Sequence, residues 1–167
     1  MKIHSILYTL HEKGFTLVEA LISLFILSIA LTGTFAVIIA QVGTAHLIQE
    51  NFIASGLAQE GIEVARNLRD SDWFAHNAFG TSLPEGSYRV QWDSIALLPD
   101  DPSAFLQKDN SGLYAYANGG TNTPYHRTLQ IQYPSVDEIQ IIVLVSWQNR
   151  TGPKSLSAEE HLYNWNQ

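Results

Sequence analysis

The chain has 167 residues, of which 46% are hydrophobic, with a net charge of −7 and no cysteine. That length is one domain's worth with room for an appendage, and without cysteine there are no disulfides, thiolate metal sites or cysteine nucleophiles. With nine Lys and Arg in all, a general affinity for nucleic acid or anionic lipid is not expected from charge.

The apolar residues are unevenly placed, and much of the total falls before residue 65. Lys2 and Lys13 flank a short leader. From Ala20 to Ala40 there is neither charge nor proline, and a helix of about 21 residues spans roughly 30 Å, a bilayer core. Lysines before this run and none soon after it place the leader on the cytoplasmic side and the rest of the chain outside. Two ordinary readings are a secretory signal cut at Ser28-Ile29-Ala30 and a plain signal anchor. The first puts Glu19 inside the apolar region and discards only half of a continuous run. Neither explains why Gly14, Phe15 and Glu19 stand together at its start.

The stretch "KGFTLVEALISL", Lys13 to Leu24, resembles the prepilin-type cleavage and methylation motif of type IV pilins and type II secretion pseudopilins. The resemblance covers roughly residues 13 to 40. It implies that a membrane prepilin peptidase cuts after Gly14 on the cytoplasmic face and methylates the new amino terminus at Phe15. It also implies that Glu19, five residues into the mature chain, pairs with the amino terminus of a neighbouring subunit. A lone charge at the bilayer centre costs about 3 kcal/mol, less near the edge. Pairing with a new amine would therefore favour entry into a filament and fix register more than it adds net stability.

Beyond Ala40 the run becomes patterned. Ile53, Leu57, Gly61, Val64 and Leu68 recur at spacings of three or four, with Ala54, Ala58, Ile62 and Ala65 as the adjacent row. Asn51, Ser55, Gln59, Glu63, Arg66 and Asn67 occupy the other side, the pattern of an amphipathic helix. The small residues in the stripe admit a close neighbour. The spacing predicts one helix from about Phe15 to Leu68, roughly 80 Å long, with Gly33 and Gly43 as weak points. Many pilins carry a proline in this region, whereas here the first is Pro84. His46 is read as marking where the helix leaves lipid.

After "RDSDWFAHNAFG" strand patterns take over. "SYRVQWDS" alternates, with Tyr88, Val90 and Trp92 on one face, and "HRTLQIQY" alternates through Leu129, Ile131 and Tyr133. "EIQIIVLVSWQ" puts Ile139, Ile141, Val143, Val145 and Trp147 on one face and Ile142 and Leu144 on the other, which predicts a central strand covered on both sides. "SLSAEEHLYNW" predicts a last strand across a turn at Asn149 to Lys154, and "LYAYA" a shorter one at Leu113 to Ala117. Four tryptophans, Trp73, Trp92, Trp147 and Trp165, are expected in the core and at sheet edges. "LLPDDPSAFLQKDNSG" and "NGGTNTP" read as outward loops that carry specificity. The fold expected is α+β, a long N-terminal helix packed against an antiparallel sheet of about four strands, similar to the pilin ladle. The divisions are a leader at 1–14, a transmembrane and filament-core half-helix at 15–40, an amphipathic half at 41–70 and an exported sheet domain at 71–167.

Other constellations are weaker. Asp100, Asp101, Asp109 and Asn110 supply oxygens for calcium but match no loop template, so no metal or cofactor is expected. His126 with Asp137 or Glu138 and Ser135 lacks a nucleophile-elbow pattern, and no enzyme is expected. Asn149-Arg150-Thr151 fits a glycosylation sequon and reads as a turn.

The resemblance therefore implies a structural subunit of a type IV pilus or a type II secretion-like filament. Its partners would be the prepilin peptidase, other pilin or pseudopilin subunits, an inner-membrane assembly platform and the lipid bilayer, with nucleic acid not expected. The protein would sit in the bacterial inner membrane as a single pass and then join an extracellular or periplasmic filament. A minor subunit is favoured over a major one. "LAQEGIEVARNLRDSDW" and the closing strands look like those of the pilus modification group, and the cysteine pair of many major pilins is missing. The alternative is an anchored exported binding module, such as a pilus-tip adhesin or DNA-uptake subunit. Its loops from Leu97 to Tyr125 hold only Lys108 as a basic residue, which counts against DNA.

Overall fold

The computed structural model describes residues 14–116 and 119–164. Most of the expected leader, with Lys2 and Lys13, lies outside them, as do Ala117 and Trp165. In chain order the elements are α1 (Leu17–Phe74), β1 (Gly86–Arg89), β2 (Leu98–Pro99), β3 (Gln107–Lys108), β4 (Tyr114–Ala115), β5 (Thr121–Asn122), β6 (His126–Ser135), β7 (Glu138–Asn149) and β8 (Gly152–Tyr163). The architecture is α+β, with antiparallel pairing throughout. The chain divides into two compact units between His46 and Leu47.

In the first unit, α1 runs through Gly33 and Gly43 without interruption, and no described residue there is buried. The helix is long and apolar enough to cross a membrane. Several of its hydroxyls are satisfied locally. Ser28 donates to the Phe25 carbonyl at 2.7 Å, Thr32 to Ser28 at 2.7 Å and Thr34 to Ala30 at 2.8 Å, so these side chains need no water in an apolar solvent.

In the second unit, a five-stranded sheet of order β2-β1-β6-β7-β8 packs on the later part of α1. Ala54, Leu57, Ala58, Ile62, Val64, Ala65 and Leu68 are buried from the helix side. Leu129 and Ile131 of β6, and Ile139, Ile141, Val143, Val145 and Trp147 of β7, are buried from the sheet side. A fully buried side chain of this size contributes about 1.5–3 kcal/mol. The alternation of β7 is as expected, but its other face is only partly covered. Ile142 and Leu144 are half-buried, opposite Gln130, Glu159, Thr128 and Ser157 on the flanking strands. Paired edges do not imply covered faces, and here only one face has a helix.

The expected sheet of about four strands is five strands plus a second sheet of three, β4-β3-β5, in which β4 lies in the short strand expected at Leu113 to Ala117 while β3 and β5 come from segments read as loops. The expected strand over Ser87 to Ser94 stops at Arg89. A turn closes it, with the Gln91 amide donating to Ser94 Oγ at 2.9 Å and the Ser94 amide to the Gln91 carbonyl at 3.0 Å. Trp92 is consequently 50% exposed, and Trp73 is 61% exposed. Of the three described tryptophans only Trp147 is in the core.

The helix outlasts the expected Leu68 by six residues because Asp72, which reads as a polar terminator, is buried and employed. Its carboxylate accepts from the Ser82 amide and hydroxyl, both at 2.7 Å, and from Asn77 Nδ2 at 3.2 Å. The Asn77 amide donates to the Asp72 carbonyl and the His76 amide to the Trp73 carbonyl. His76 sits at φ 58°, the left-handed C-terminal cap of a Schellman ending.

Gly61 sets the distance between helix and sheet. A Cβ there would lie 2.9 Å from Val143 Cγ1 and 3.4 Å from Arg127 Cδ, whereas one at Gly56 meets nothing within 4 Å. Gly56→Ala should therefore gain up to about 1 kcal/mol in helix propensity, and Gly61→Ala should lose about 1–3 kcal/mol to overpacking. Denaturant unfolding followed by tryptophan fluorescence measures both, and equal gains would show that no close approach exists at Gly61.

Candidate assembly site

Gly14, Phe15 and Thr16 precede α1 in non-helical backbone, and all three are exposed. Thr16 is the N-cap. Its Oγ1 accepts from the Glu19 amide at 3.2 Å, and its carbonyl accepts the first helical bond, from the Ala20 amide, at 3.1 Å. Thr16-x-x-Glu19 has capping-box spacing, with Glu19 in the first turn, where the helix dipole favours a carboxylate. The half of the box made by Thr16 is formed. Among the described residues the Glu19 carboxylate itself meets no donor. Gly14 has open space where a side chain would start, so nothing in the fold demands glycine there.

The second unit carries a different set of polar fixtures. Arg127 is fully buried on β6. Its Nη1 donates to the Leu57 carbonyl at 2.9 Å and to Glu60 Oε1 at 2.8 Å, and its Nη2 donates to the Val90 carbonyl. Sequence reading missed it, although Arg127 shares the parity of Leu129 and Ile131 and so points inward. Glu50, near the start of this unit, accepts from Trp147 Nε1 at 3.2 Å and from Asn149 Nδ2 at 2.9 Å. Tyr125 donates to the Glu50 carbonyl at 3.3 Å, and burial pushes its phenol up to about 12.

The other candidate residues do not converge. Asp109 closes its own turn, accepting from the Ser111 and Leu113 amides. Asp101 caps Ser103, whose hydroxyl bond holds the Asp101 carboxyl below its usual range. Asp100 receives Thr128 Oγ1 at 3.1 Å. His126 pairs opposite Ser146, at the other end of β6 from Ser135, which pairs with Glu138. Nine residues of strand are about 30 Å, so no hydrolytic triad forms among these groups. Asn149 is engaged in the β7–β8 hairpin, accepting from the Thr151 amide and hydroxyl at 2.9 and 2.8 Å.

Residues 10–35 match the family model described as "Prokaryotic N-terminal methylation motif". The chain carries a prepilin-type signal. No curated protein and no solved structure matches the chain at a significant level. The prepilin signal begins before the described residues and ends within the exposed apolar helix, so it spans the N-cap, Glu19 and the first turns. Signal and helix together support a single-pass, membrane-anchored subunit of type IV pilin or pseudopilin type, processed by a prepilin peptidase and assembled with other pilin subunits.

On the uncovered face of the sheet, His161 lies between two carboxylates, Nδ1 at 2.6 Å from Glu138 Oε1 and Nε2 at 2.9 Å from Glu159 Oε1. The bond to Glu138, then that to Glu159, raises its pKa. A raised folded value means that the contribution is fully present below the ordinary histidine value near ~6.5 and is lost as pH rises through the folded value. Glu159 is lowered by bonds from Gln140 and then His161, so its part is lost at acid pH. The stability advantage of the native chain over His161→Gln should be small, largest between about pH 5 and 6, and shrink toward pH 8. Melting temperatures across that range check this, and a constant difference would remove the ion pairing.

Proposed function

We propose that the protein is a minor pilin or pseudopilin, made with a leader at 1–14, cut after Gly14, N-methylated at Phe15 and assembled through α1. On this reading residues 15–40 span the inner membrane and later the filament core, residues 41–70 continue as the amphipathic half, and residues 71–167 are exported. The leader faces the cytoplasm, and the assembly platform draws the mature subunit from the membrane. The observation that carries the proposal is Glu19. It is the one acidic residue between Phe15 and Gln49, placed within the matched signal on a capped first turn, with a carboxylate that meets no donor among the described residues.

The electrostatics support pairing between subunits. Cleavage creates an ammonium at Phe15, directly before the N-cap, where the helix dipole opposes positive charge. A carboxylate from a neighbour removes both that penalty and the cost of holding Glu19 ionised in hydrocarbon. Neither gain exists for a subunit whose amine and carboxylate both remain unmatched in the bilayer. Gly14 fits the same account, since its lack of a side chain serves a peptidase cleft and not the fold.

Mass spectrometry of the native amino terminus tests the processing, with methylated Phe15 expected. A chain beginning at Leu31 would point to the secretory signal instead. Gly14→Leu should retain the leader while folding normally. Glu19→Ala should be processed but lose roughly tenfold or more in sheared filaments, given that 1.4 kcal/mol is a factor of ten. Native incorporation of that variant would remove the assembly role of Glu19.

A further inference from the structure

Of the nine Lys and Arg, Lys2 and Lys13 lie outside the described residues, which leaves seven. Four of these pair with a carboxylate: Arg66 with Glu63 and Glu160, Arg69 with Asp70, Arg89 with Asp101 and Arg127 with Glu60. The other three, Lys108, Arg150 and Lys154, are exposed. Among the described residues none of them has a carboxylate within ion-pair distance.

The three unpaired cations share one corner of the second unit, the corner at which α1 enters it. Glu50 fixes that corner through its bonds with Trp147, Asn149 and Tyr125. Arg150 is in the turn that follows Asn149, and Lys154 lies opposite Trp147 on β8. Lys108 sits over the Tyr114 ring, 5.9 Å from its centroid. Ring contacts run on from Tyr114 to Tyr125 at 6.4 Å and from Tyr125 to Trp147 at 5.8 Å, so Lys108 is tied to the same corner by packed aromatics. The nearby carboxylates are engaged, Glu50 as above and Asp109 by the Ser111 and Leu113 amides. Leu47, Ile48 and Leu113 are exposed beside them.

We propose that this corner binds anionic phospholipid headgroups while the subunit is anchored in the bilayer. The proposal rests on the single-pass anchor and not on cleavage or filament assembly. Glu50 is ten residues past Ala40, where the charge-free run ends, and ten helical residues rise about 15 Å. The polar zone outside the hydrocarbon is itself roughly 5–8 Å deep on each side. Covalent connection therefore keeps headgroups within reach of this corner. A soluble polyanion such as nucleic acid would have to be gathered against a net charge of −7. Lys and Arg lay their stems on apolar surface and extend their charge to phosphate, and Leu47, Ile48 and Leu113 provide that surface. Each basic residue near an anionic membrane strengthens the contact about fivefold.

The test uses the full chain in lipid nanodiscs, either phosphatidylcholine alone or with phosphatidylglycerol added, each carrying a quencher on the headgroups. The chain has no cysteine, so Gln148→Cys, exposed beside Asn149, takes a single fluorophore. Val136→Cys is the control, exposed in the turn at the other end of β7, about 40 Å away. Expected is stronger quenching at 148 than at 136, present with phosphatidylglycerol and abolished by high salt. Lys108→Gln, Arg150→Gln and Lys154→Gln should each lower the ratio of docked to free about fivefold, with unchanged circular dichroism, while Arg66→Gln leaves it unaltered. Equal quenching in the two lipids, equal quenching of the variants, or preference for a single-stranded oligonucleotide over the anionic discs would overturn the proposal. Failure of the chain to enter nanodiscs would overturn the anchor as well, whereas entry without lipid-dependent quenching would remove this proposal alone.

Discussion

A guanidinium sealed from water is tolerated only where acceptors surround it, and the three acceptors of Arg127 come from two places in the chain, neither of them its own strand. The Leu57 carbonyl and Glu60 belong to the helix and the Val90 carbonyl to the segment after β1, while Arg127 itself is on β6. Buried ion pairs of this kind specify an arrangement more than they add net stability. The helix therefore meets the sheet at one azimuth and one height. The close approach at Gly61 belongs to the same joint, because the atoms a side chain there would strike are Val143 and the stem of Arg127 itself. With a larger residue at 61 the helix would ride higher, and the guanidinium would lose its reach to a helix carbonyl.

The same helix solves the opposite problem before His46. There the surroundings are apolar, no sheet is at hand, and polarity has to be met within the helix or not carried at all. Ser28, Thr32 and Thr34 return their hydroxyls to carbonyls three or four residues back. Thr16 satisfies a first-turn amide, as every helix start requires. Glu19 follows neither course. Its backbone is capped while its carboxylate meets no donor among the described residues, the combination on which the proposed pairing between subunits rests.

Much of this was legible in the sequence where a period was long enough to read. The helical stripe from Ile53 to Leu68 and the alternation of β7 are sustained over many residues, and the structure buries the residues each predicts. Strands of two residues, such as β2, β3 and β5, have no period at all, which is why these three read as loop and only β4 of the second sheet fell in an expected strand. Alternation in "SYRVQWDS" was real for four residues and then deceptive, since a turn held by Ser94 turns Trp92 outward. The helix runs six residues past the expected Leu68, through Asp70-Ser71-Asp72, where no apolar side chain continues the stripe. Only the tertiary contact with Ser82 makes Asp72 an interior residue. Arg127 was visible by parity, but a charge in an inward position is ordinarily taken as a break in the pattern and not as its anchor.

The residues that this chain's own fold leaves unexplained form a small and informative set. Gly14 has room for a side chain, Glu19 meets no donor among the described residues, and Arg89 Nε, Asp100 Oδ1, Gln107 Oε1 and Arg127 Nε are buried without hydrogen-bond partners. A fold under selection for stability alone would fill the first and match the others, because each change is a single substitution worth a fraction of a kcal/mol to a few kcal/mol. Their persistence in a chain that elsewhere satisfies Asp72, Glu50 and Asn149 with care is a departure from local consistency, and such departures concentrate where function is exerted. Gly14 and Glu19 stand at the start of the apolar helix, and the buried polar atoms lie within the second unit.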